Sequence, residues 1–377
     1  MNIERLPDGR YRLRWYVAGR GSPRRQKTFP AGTRRKQVET FAANLELRKA
    51  MGELVLYEQR NRPLRELSTE WWAKYVVPNL AHWTRVGYKR MLVNHIEPRL
   101  GSMRVGEISP EIVADFRARL EAAGVGRHSV RQSMVVLQAM FEQAIRWGWV
   151  ATNPVKAVRK PSARRQRAVV CLAPGQIETI RSVLIDEGRL YAATMVSLVA
   201  YQGLRVPEEL LALEVKYVRR NTILIEQRNI DGRIVGGQKV RGFHPRAIDL
   251  LEPVRRDLRD YLVATGIREG LLFPRRDGAA WRLHDYQNWR RRVWHTARQR
   301  AEVEPLPPYD LRHAFASLQI RAGLPIPELA EQMGHSPQMT LMTYTHVIRE
   351  LKGEPAVSAA EQIERARRVL KEGTEAL

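Results

Sequence analysis

Apolar and polar residues alternate near the start of the chain, which is the pattern of a strand with one buried face. The apolar positions of this alternation are Tyr11, Leu13, Trp15 and Val17. A turn at 19–23, rich in glycine, serine and proline, allows the basic segment 24–29 to return as a second strand. Thr33 then suits the N-cap of a helix over about 34–51. We predict a small basic sheet backed by one helix within residues 1–57.

Helical periodicity replaces this alternation from about Pro63 to Asn153. Helices are predicted over 64–77, 84–97 and 129–147, and a further one opens at Ser109, which can cap a first turn that contains Pro110 and Glu111. Four tryptophans at helical or helix-end positions are expected in the core rather than stacked on bases: Trp71, Trp72, Trp147 and Trp149. The economical arrangement is a helical bundle over residues 63–160.

The rest of the chain mixes helical and strand-like segments. Helices are predicted at about 175–187, 189–201, 247–265, 284–300, 311–322 and 325–333. Strands are predicted at 222–227 and 233–240, joined by a turn at 229–232. These belong to a third domain over 168–355, and an amphipathic helix at 358–371 lies in a tail over 356–377. The fold class is therefore mainly α with small β-sheets, or α+β.

Charge is distributed very unevenly. The 377 residues carry a formal net charge of +24. Residues 1–167 hold 33 Lys and Arg against 14 Asp and Glu, whereas residues 168–377 hold 31 against 26. This asymmetry favours a polyanionic partner over a merely solvated surface. The basic residues expected to contact DNA are Arg12, Arg14, Arg24, Arg25 and Lys27 in the sheet and Arg164 and Arg165 in the linker near 159–167. The alternative is that the sheet arginines only protect an edge strand from aggregation.

Several classes of protein are excluded by what the sequence lacks. No apolar run indicates a signal peptide or a membrane span, so we expect a cytoplasmic protein without membrane contact. Cys171 is the only cysteine, which excludes internal disulfides and zinc sites built on cysteine. Neither a Walker phosphate loop, a dinucleotide fingerprint nor a His-Glu-x-x-His pair is present. We expect neither a metal nor another cofactor.

Three short motifs in the third domain carry the candidate chemistry. The first is Gly203-Leu204-Arg205-Val206-Pro207-Glu208, which places an arginine before a predicted helix. The second is Asp310-Leu311-Arg312-His313. The third is Met333-Gly334-His335, followed by Tyr344-Thr345-His346. Arginine guanidinium groups bind phosphate oxygens, and a tyrosine hydroxyl can attack phosphorus, so the set is suited to chemistry on a phosphodiester without a metal.

The order and spacing of these motifs resemble the active-site boxes of the tyrosine recombinases, the family of phage integrases. The resemblance implies that Arg205 and Arg312 grip the scissile phosphate, that His335 donates to it, and that Tyr344 attacks it to leave a 3′-phosphotyrosine. It further implies that Lys239, on a hairpin, protonates the leaving 5′-oxygen. Glu208 would orient the arginines, and His313 would support the site or only cap a helix. Arg241 or Lys216 remains an alternative to Lys239.

One position departs from the family pattern. A histidine usually stands three residues before the second arginine, and this chain has Tyr309 there. Histidine titrates near neutral pH and can accept the proton of the nucleophile, a task for which tyrosine is poorly suited. We count Tyr309 among the catalytic candidates, since its hydroxyl can still bond the phosphate. The substitution also sustains the alternative of a catalytically impaired DNA-binding protein.

The resemblance implies a complete reaction scheme. It is strand exchange by two successive transesterifications, by four protomers on double-stranded DNA, to integrate and excise a phage or other mobile element. The helical bundle resembles the domain that binds the core site, and the basic sheet resembles the domain that binds arm sites. Host DNA-bending and directionality factors are expected partners. A type IB topoisomerase-like enzyme is the other rival, against which the two DNA-binding modules argue.

Overall fold

The structure, a computed structural model, describes residues 1–16, 24–51, 53–162, 169–236, 245–350 and 355–375. Within these ranges the chain is mostly helical with small antiparallel sheets, which confirms the predicted α+β class. The chain divides into two units, Met1–Arg165 and Gln166–Leu377. The finer division into four parts stays a prediction. No helix in the described ranges is both long and apolar enough to cross a membrane.

The first unit opens with a three-stranded antiparallel sheet, made of β1 (Asn2–Arg5), β2 (Tyr11–Tyr16) and β3 (Arg24–Thr28). Leu13 and Trp15 of β2 are buried, as the alternation predicts. They pack with helix α1 (Arg35–Ala50), which buries Val38 and Leu45. This helix begins one residue later than predicted, with Arg34 rather than Thr33 as N-cap. The Thr33 hydroxyl instead donates to the carbonyl of Pro30 at 2.8 Å.

Helix α2 (Leu54–Arg60) packs in the same core as the sheet and α1, through Leu54 and Tyr57. A helical bundle completes the first unit. Its helices are α3 (Leu64–Trp71), α4 (Val77–Asn79), α5 (His82–Met91), α6 (Glu97–Leu100), α7 (Pro110–Ala122) and α8 (Arg127–Arg146). Ser109 caps α7 as predicted, because its Oγ accepts the amide of Ile112 at 3.3 Å. Trp71 and Trp149 are buried in the bundle core, whereas Trp72 and Trp147 are partly buried and pack against that core.

Two prolines explain an irregularity in the bundle. Pro78 in α4 and Pro98 in α6 each follow a π-helical turn, at Trp72–Val76 and Leu92–Ile96. Proline has no amide hydrogen, and its ring clashes with the carbonyl four residues earlier. A single wider turn before each proline relieves this conflict, so the chain continues in the same direction where the sequence alone suggests a break.

The second unit is built around α10 (Leu190–Gln202), whose residues from Ala192 to Gln202 are all buried. The other helices are α9 (Pro174–Asp186), α11 (Glu252–Thr265), α12 (Leu283–Trp289), α13 (His295–Arg300), α14 (Arg312–Arg321), α15 (Ile326–Met333), α16 (Pro337–Glu350) and α17 (Ala359–Glu375). Its neighbours therefore enclose α10 on every side, including the polar residues Thr194, Ser197 and Gln202.

Strand pairing in this unit differs from the prediction. The strands are β4 (Thr222–Ile225), β5 (Gln227–Ile230), β6 (Arg233–Gly236) and β7 (Arg246–Asp249). The predicted partner of 222–227 was 233–240, but β4 pairs with β7 and the separate β5 pairs with β6. The hairpin turn is only Asp231 and Gly232, both with positive φ, which matches the twist of the flanking strands.

The C-terminal helix α17 packs on its own unit. Ile363 has no exposed surface, and Ala359 is also buried. Arg367 donates to Asp257 of α11 at 2.8 Å, and its Nε lies 3.2 Å from Glu178 of α9. The amphipathic pattern of this segment predicts a helix that packs either on its own domain or on a neighbouring protomer. The structure shows the first arrangement.

We predict that Ile363→Ala loosens α17. Removing a fully buried isoleucine side chain costs about 2–5 kcal/mol, so local opening should become ~30-fold or more frequent. Hydrogen exchange of the α17 amides measures this opening. Val369→Ala is the matched control, because Val369 lies on the same helix with 63% of its surface exposed. Equal exchange in both variants would contradict the packing described here.

Candidate active site

The buried carboxylate of Glu209 lies at the centre of an ion cluster in the second unit, and none of its side-chain surface is exposed. Arg205 donates Nη1 to its Oε1 at 2.6 Å. Arg246 donates Nη1 and Nη2 to the two carboxylate oxygens at 2.9 and 2.7 Å. The Nη1 of Arg312 lies 3.9 Å from Oε2. One carboxylate therefore gathers three guanidinium groups, from the segment after α10, from β7 and from the start of α14.

Main-chain carbonyls at the ends of two helices hold the same guanidinium groups. Arg312 donates to Gly203 and Met333, Arg205 donates to Gly334, and Arg246 donates to Gln332. These acceptors stand at the C-terminal ends of α10 and α15, where helical carbonyls lack partners within the helix. The first and third sequence motifs therefore meet at the arginines through their backbones.

Both helices end in a glycine that the geometry requires. Gly203 has a φ of 65°, and a Cβ built on it would lie 2.5 Å from the Phe315 ring. Gly334 has a φ of 61°, and a Cβ there would lie 3.1 Å from Nη1 of Arg205. Only glycine adopts this left-handed conformation without strain while leaving space for the ring and the guanidinium.

Positive charge predominates in this cluster. Burial acts to raise the pKa of Glu209, but hydrogen bonds and charge from Arg246, and then the charges of Arg205 and Arg312, lower it to about 2. Burial, and then repulsion from Arg205, lowers the pKa of Arg312 to about 10. Glu209 is thus ionised at neutral pH, and it compensates only one of the three arginine charges. The cluster is prepared to receive an anion.

His335 lies against the arginines and is neutral at physiological pH. Burial and the charges of Arg312 and Arg205 lower its pKa to about 4. Its Nε2 lies 3.2 Å from Nη2 of Arg312, so this nitrogen accepts, and Nδ1 carries the hydrogen. Among the described residues, neither Nδ1 of His335 nor Nε of Arg312 has a hydrogen-bond partner, although both are buried. Two donors therefore remain available to a ligand.

Tyr344 of α16 is fully buried, and its hydroxyl lies 2.8 Å from Nδ1 of His313. The two rings meet edge to face, with their centroids 5.7 Å apart. His313 directly follows Arg312 on α14. The candidate nucleophile is thus tied to the helix turn that begins with one of the clustered arginines.

Tyr309 lies in a short 3₁₀ turn, Pro308–Leu311, immediately before α14. It is 36% exposed, more than any other candidate in this region. Arg312, the first residue of α14, follows it by three positions. The usual histidine position is therefore close to the cluster but open to solvent.

The acidic residue that orients the arginines is Glu209, not Glu208 as the sequence motif suggests. Glu208 is one-third exposed and lies 3.6 Å from Nη1 of Arg228, outside the cluster. The assignment is wrong by one residue because Glu209, not Glu208, stands four positions after Arg205. The amide of Glu209 donates to the carbonyl of Arg205 at 2.8 Å in this turn. The four-residue spacing from Arg205 was the feature of the sequence that could have identified Glu209. Arg246 begins a segment that resembles the strand after the family's hairpin, and it lies in β7, but no local pattern indicates its pairing with Glu209.

The five basic residues of the N-terminal sheet divide between its two faces. Cross-strand pairing sets Arg12, Arg14 and Arg24 on the outer face, together with exposed Tyr16. Arg25 and Lys27 pair with Trp15 and Leu13, so they lie on the face that covers the core. The Lys27 amine lies 4.2 Å from the centre of the Phe41 ring. Three further candidates lie outside the described residues: Lys239, Arg164 and Arg165.

Two family models match the chain. Residues 171–350 match the phage integrase family, and residues 64–120 match the N-terminal SAM-like domain of phage integrases. The first match contains all three motifs and the whole cluster around Glu209. The second match lies in the helical bundle.

Curated relatives and solved structures agree with these matches. Tyrosine recombinase XerD of Ralstonia nicotianae is 26% identical over 74% of this chain and 88% of its own length. Tyrosine recombinase XerC of Mycobacterium sp. (strain JLS) is 24% identical over 70% of this chain and 86% of its own. The Tn1549 transposon integrase, solved in complex with transposon right-end DNA, superposes with a TM-score of 0.64 at 21% identity, over 77% of this chain and 99% of that chain. A λ integrase dimer bound to a COC' core site superposes with a TM-score of 0.61 at 17% identity, over 94% of this chain and 96% of that chain.

The two family models describe successive domains of one kind of protein, and together they cover more than half of the chain. The structural likeness extends over both units. The first two motifs and the Met333–His335 part of the third lie at the cation cluster, and Tyr344 contacts His313 of the second motif. The chain therefore belongs to the phage integrase family of tyrosine recombinases.

Proposed function

We propose that this recombinase cleaves and rejoins DNA through a covalent bond between Tyr344 and a 3′-phosphate, and that it integrates and excises a phage or other mobile element. The single observation that carries the chemistry is the cluster of Arg205, Arg246 and Arg312 on one buried carboxylate. Three fixed cations with one counter-charge form a site for an anion whose charge grows in the transition state.

We propose separate tasks for the site residues. Arg312 Nε and the ring nitrogen Nδ1 of His335 are buried donors without a partner among the described residues, and they would bind non-bridging phosphate oxygens. The outer edge of Arg205, with about a quarter of its side chain exposed, would bind from the solvent side. Arg246 is almost fully buried and donates both Nη atoms to Glu209, so it would position the other arginines without touching the phosphate.

The reaction itself exchanges one phosphoester for another. The Tyr344 oxygen forms a bond to phosphorus, the bond from phosphorus to the 5′-oxygen breaks, and the 5′-oxygen leaves with a proton, for which Lys239 is the proposed donor. Religation reverses these steps with a different 5′-hydroxyl. Because the phosphotyrosine retains a phosphodiester, the second step needs no nucleotide. The scheme therefore requires neither a metal nor an energy-rich cofactor.

The N-terminal unit would supply most of the DNA affinity. It carries most of the net charge, and the outer face of its sheet presents Arg12, Arg14 and Arg24 side by side. We assign this face to arm-site DNA and the helical bundle to the core site. Integrases of the same fold have been solved as a dimer on a core site and as a tetramer on a Holliday junction. Four protomers on two sites is the assembly we propose for this chain, with DNA-bending and directionality factors as further partners.

A catalytically impaired DNA-binding protein is the second candidate. Two observations favour it: Tyr309 stands in the histidine position, and Tyr344 is fully buried. In that case, the cation cluster would bind a phosphate without cleaving it. The covalent adduct separates the two candidates.

Tyr344→Phe should abolish the covalent adduct while leaving DNA binding intact. The substitution removes only the attacking oxygen, and the phenyl ring retains its packing. The measurement uses a nicked attachment-site duplex and a denaturing gel, and wild type should give a band of protein linked to DNA. Wild-type protein that binds this duplex tightly but yields no adduct would favour the impaired alternative, and Tyr309→His would then be the variant to make.

Glu209→Gln should both destabilise the protein and suppress cleavage. The amide leaves three guanidinium charges without a buried counter-charge. Since the pKa of Glu209 falls from 4.5 to about 2 on folding, its ionised form contributes about 3 kcal/mol. That contribution is complete above about pH 4.5 and is lost as the pH falls through about 2. Urea unfolding at several pH values measures it, and adduct formation should slow by ~10²-fold.

Glu208→Gln provides the matched control for Glu209→Gln. Its ion pair with Arg228 is partly exposed and 3.6 Å long. Such pairs contribute about 0–1 kcal/mol, so both stability and cleavage should stay near wild type. Equal losses in the two variants would contradict the central place given to Glu209.

Arg24→Ala should weaken binding to arm-site DNA more than Lys27→Ala does. Arg24 lies on the outer face of the sheet, and Lys27 lies on the face toward α1. Loss of one phosphate contact lowers the slope of log affinity against log salt by about 1. Gel-shift titrations at several salt concentrations measure the slope. A larger change for Lys27→Ala would move the DNA-binding surface to the opposite face.

A further inference from the structure

Nδ1 of His313 lies 2.8 Å from the hydroxyl of Tyr344. Both side chains are at least nine-tenths buried, with His313 7% exposed and Tyr344 fully covered. In the neutral imidazole whose hydrogen is on Nε2, Nδ1 is an acceptor, and the Tyr344 hydroxyl donates to it. In that tautomer a titratable acceptor already holds the proton that must leave when this tyrosine attacks.

The other candidates for accepting this proton are poorly suited. Tyr309 replaces the histidine of the family pattern and is itself a phenol. His335 has its accepting nitrogen, Nε2, directed at Arg312, 3.2 Å away. Among the described residues of the site, His313 is thus the histidine whose accepting nitrogen faces the Tyr344 hydroxyl.

We propose that His313 is the proton acceptor for Tyr344, in place of the residue at position 309. This step rests on the proposed function. As the Tyr344 oxygen bonds to phosphorus and the 5′-oxygen leaves, the phenol proton passes to Nδ1, and His313 becomes an imidazolium. In religation, the 5′-hydroxyl attacks phosphorus and gives its proton to Lys239, the proposed donor of the first step. The bond to Tyr344 breaks, and His313 returns its proton to the departing phenolate.

The surrounding charges fit an acceptor that starts neutral and becomes charged only with substrate bound. His313 lies in the first turn of α14, where the helix dipole disfavours a cation. Arg312 precedes it, and the uncompensated charge of the arginine cluster acts in the same direction. A bound phosphodiester adds a negative charge to this cluster, which makes an imidazolium there less costly.

His313→Asn tests the proposal. Asparagine can place an amide oxygen near the position of Nδ1, so it keeps an acceptor for the Tyr344 hydroxyl but cannot take its proton. We expect adduct formation on the nicked duplex to slow by ~10²-fold or more, with DNA affinity unchanged. His313→Gln is made in parallel, so that a folding defect in one variant does not decide the result. His284→Asn, at a side chain that is 79% exposed, is the matched control and should cleave at the wild-type rate.

Two further substrates separate proton acceptance from other roles. A duplex with sulfur in place of the bridging 5′-oxygen has a leaving group that needs no proton. This substrate should restore adduct formation by the Lys239→Ala variant, whereas adduct formation by the His313→Asn variant should stay slow. A more acidic nucleophile, 3-fluorotyrosine incorporated at position 344, should reduce the deficit of His313→Asn, because less assistance is needed to remove its proton.

Each contrary result overturns the proposal in a recognisable way. A His313→Asn protein that cleaves at the wild-type rate would show that an acceptor in this place only positions Tyr344. Restoration of His313→Asn by the sulfur substrate would make His313 a donor to the leaving group. Wild-type protein that forms no adduct would instead contradict the proposed function itself, so the two failures are distinguishable.

Discussion

The ion cluster around Glu209 is the constraint on which the second unit depends. A carboxylate without exposed surface is tolerated only when it is fully paired, and the three guanidinium groups that pair with it come from segments far apart in sequence. The cluster therefore joins the end of α10, strand β7 and the start of α14. The same contacts leave the cations in excess of the anion. Folding of the unit therefore also assembles the cation cluster for which we propose phosphate binding.

Local patterns in the sequence predict local structure well. The alternation of β2, the cap at Ser109 and the helix around α10 depend on neighbouring residues, and all are found. Pairing between distant segments is where the predictions are wrong. Strand β4 joins β7 rather than the nearer β6, and no pattern within β4 specifies its partner. The four-residue spacing from Arg205 could have distinguished Glu209 from Glu208. The strand at Arg246 is indicated by its resemblance to the family pattern, whereas its pairing with Glu209 is not.

Charge has different uses in the two units. Residues 1–167 carry a large excess of Lys and Arg that is spread over a sheet, a bundle and a linker. Residues 168–377 are nearly balanced, yet they concentrate an unbalanced charge at one buried point. Salt screens an excess of positive charge that is spread over an exposed surface. A buried excess of charge acts on nearby groups and is screened much less. Affinity and reactivity can therefore respond independently to ionic conditions.

Four main-chain carbonyls, those of Gly203, Gln332, Met333 and Gly334, receive hydrogen bonds from the clustered arginines. A main-chain carbonyl stays in place when the side chain of the same residue is replaced, provided that the backbone keeps its path. Gln332 and Met333 can therefore vary without removing an acceptor from the site. At Gly203 and Gly334, by contrast, any side chain would disturb the path itself. At these four positions the acceptor depends on backbone shape and not on side-chain chemistry, so the two glycines are the least replaceable of the four for keeping it.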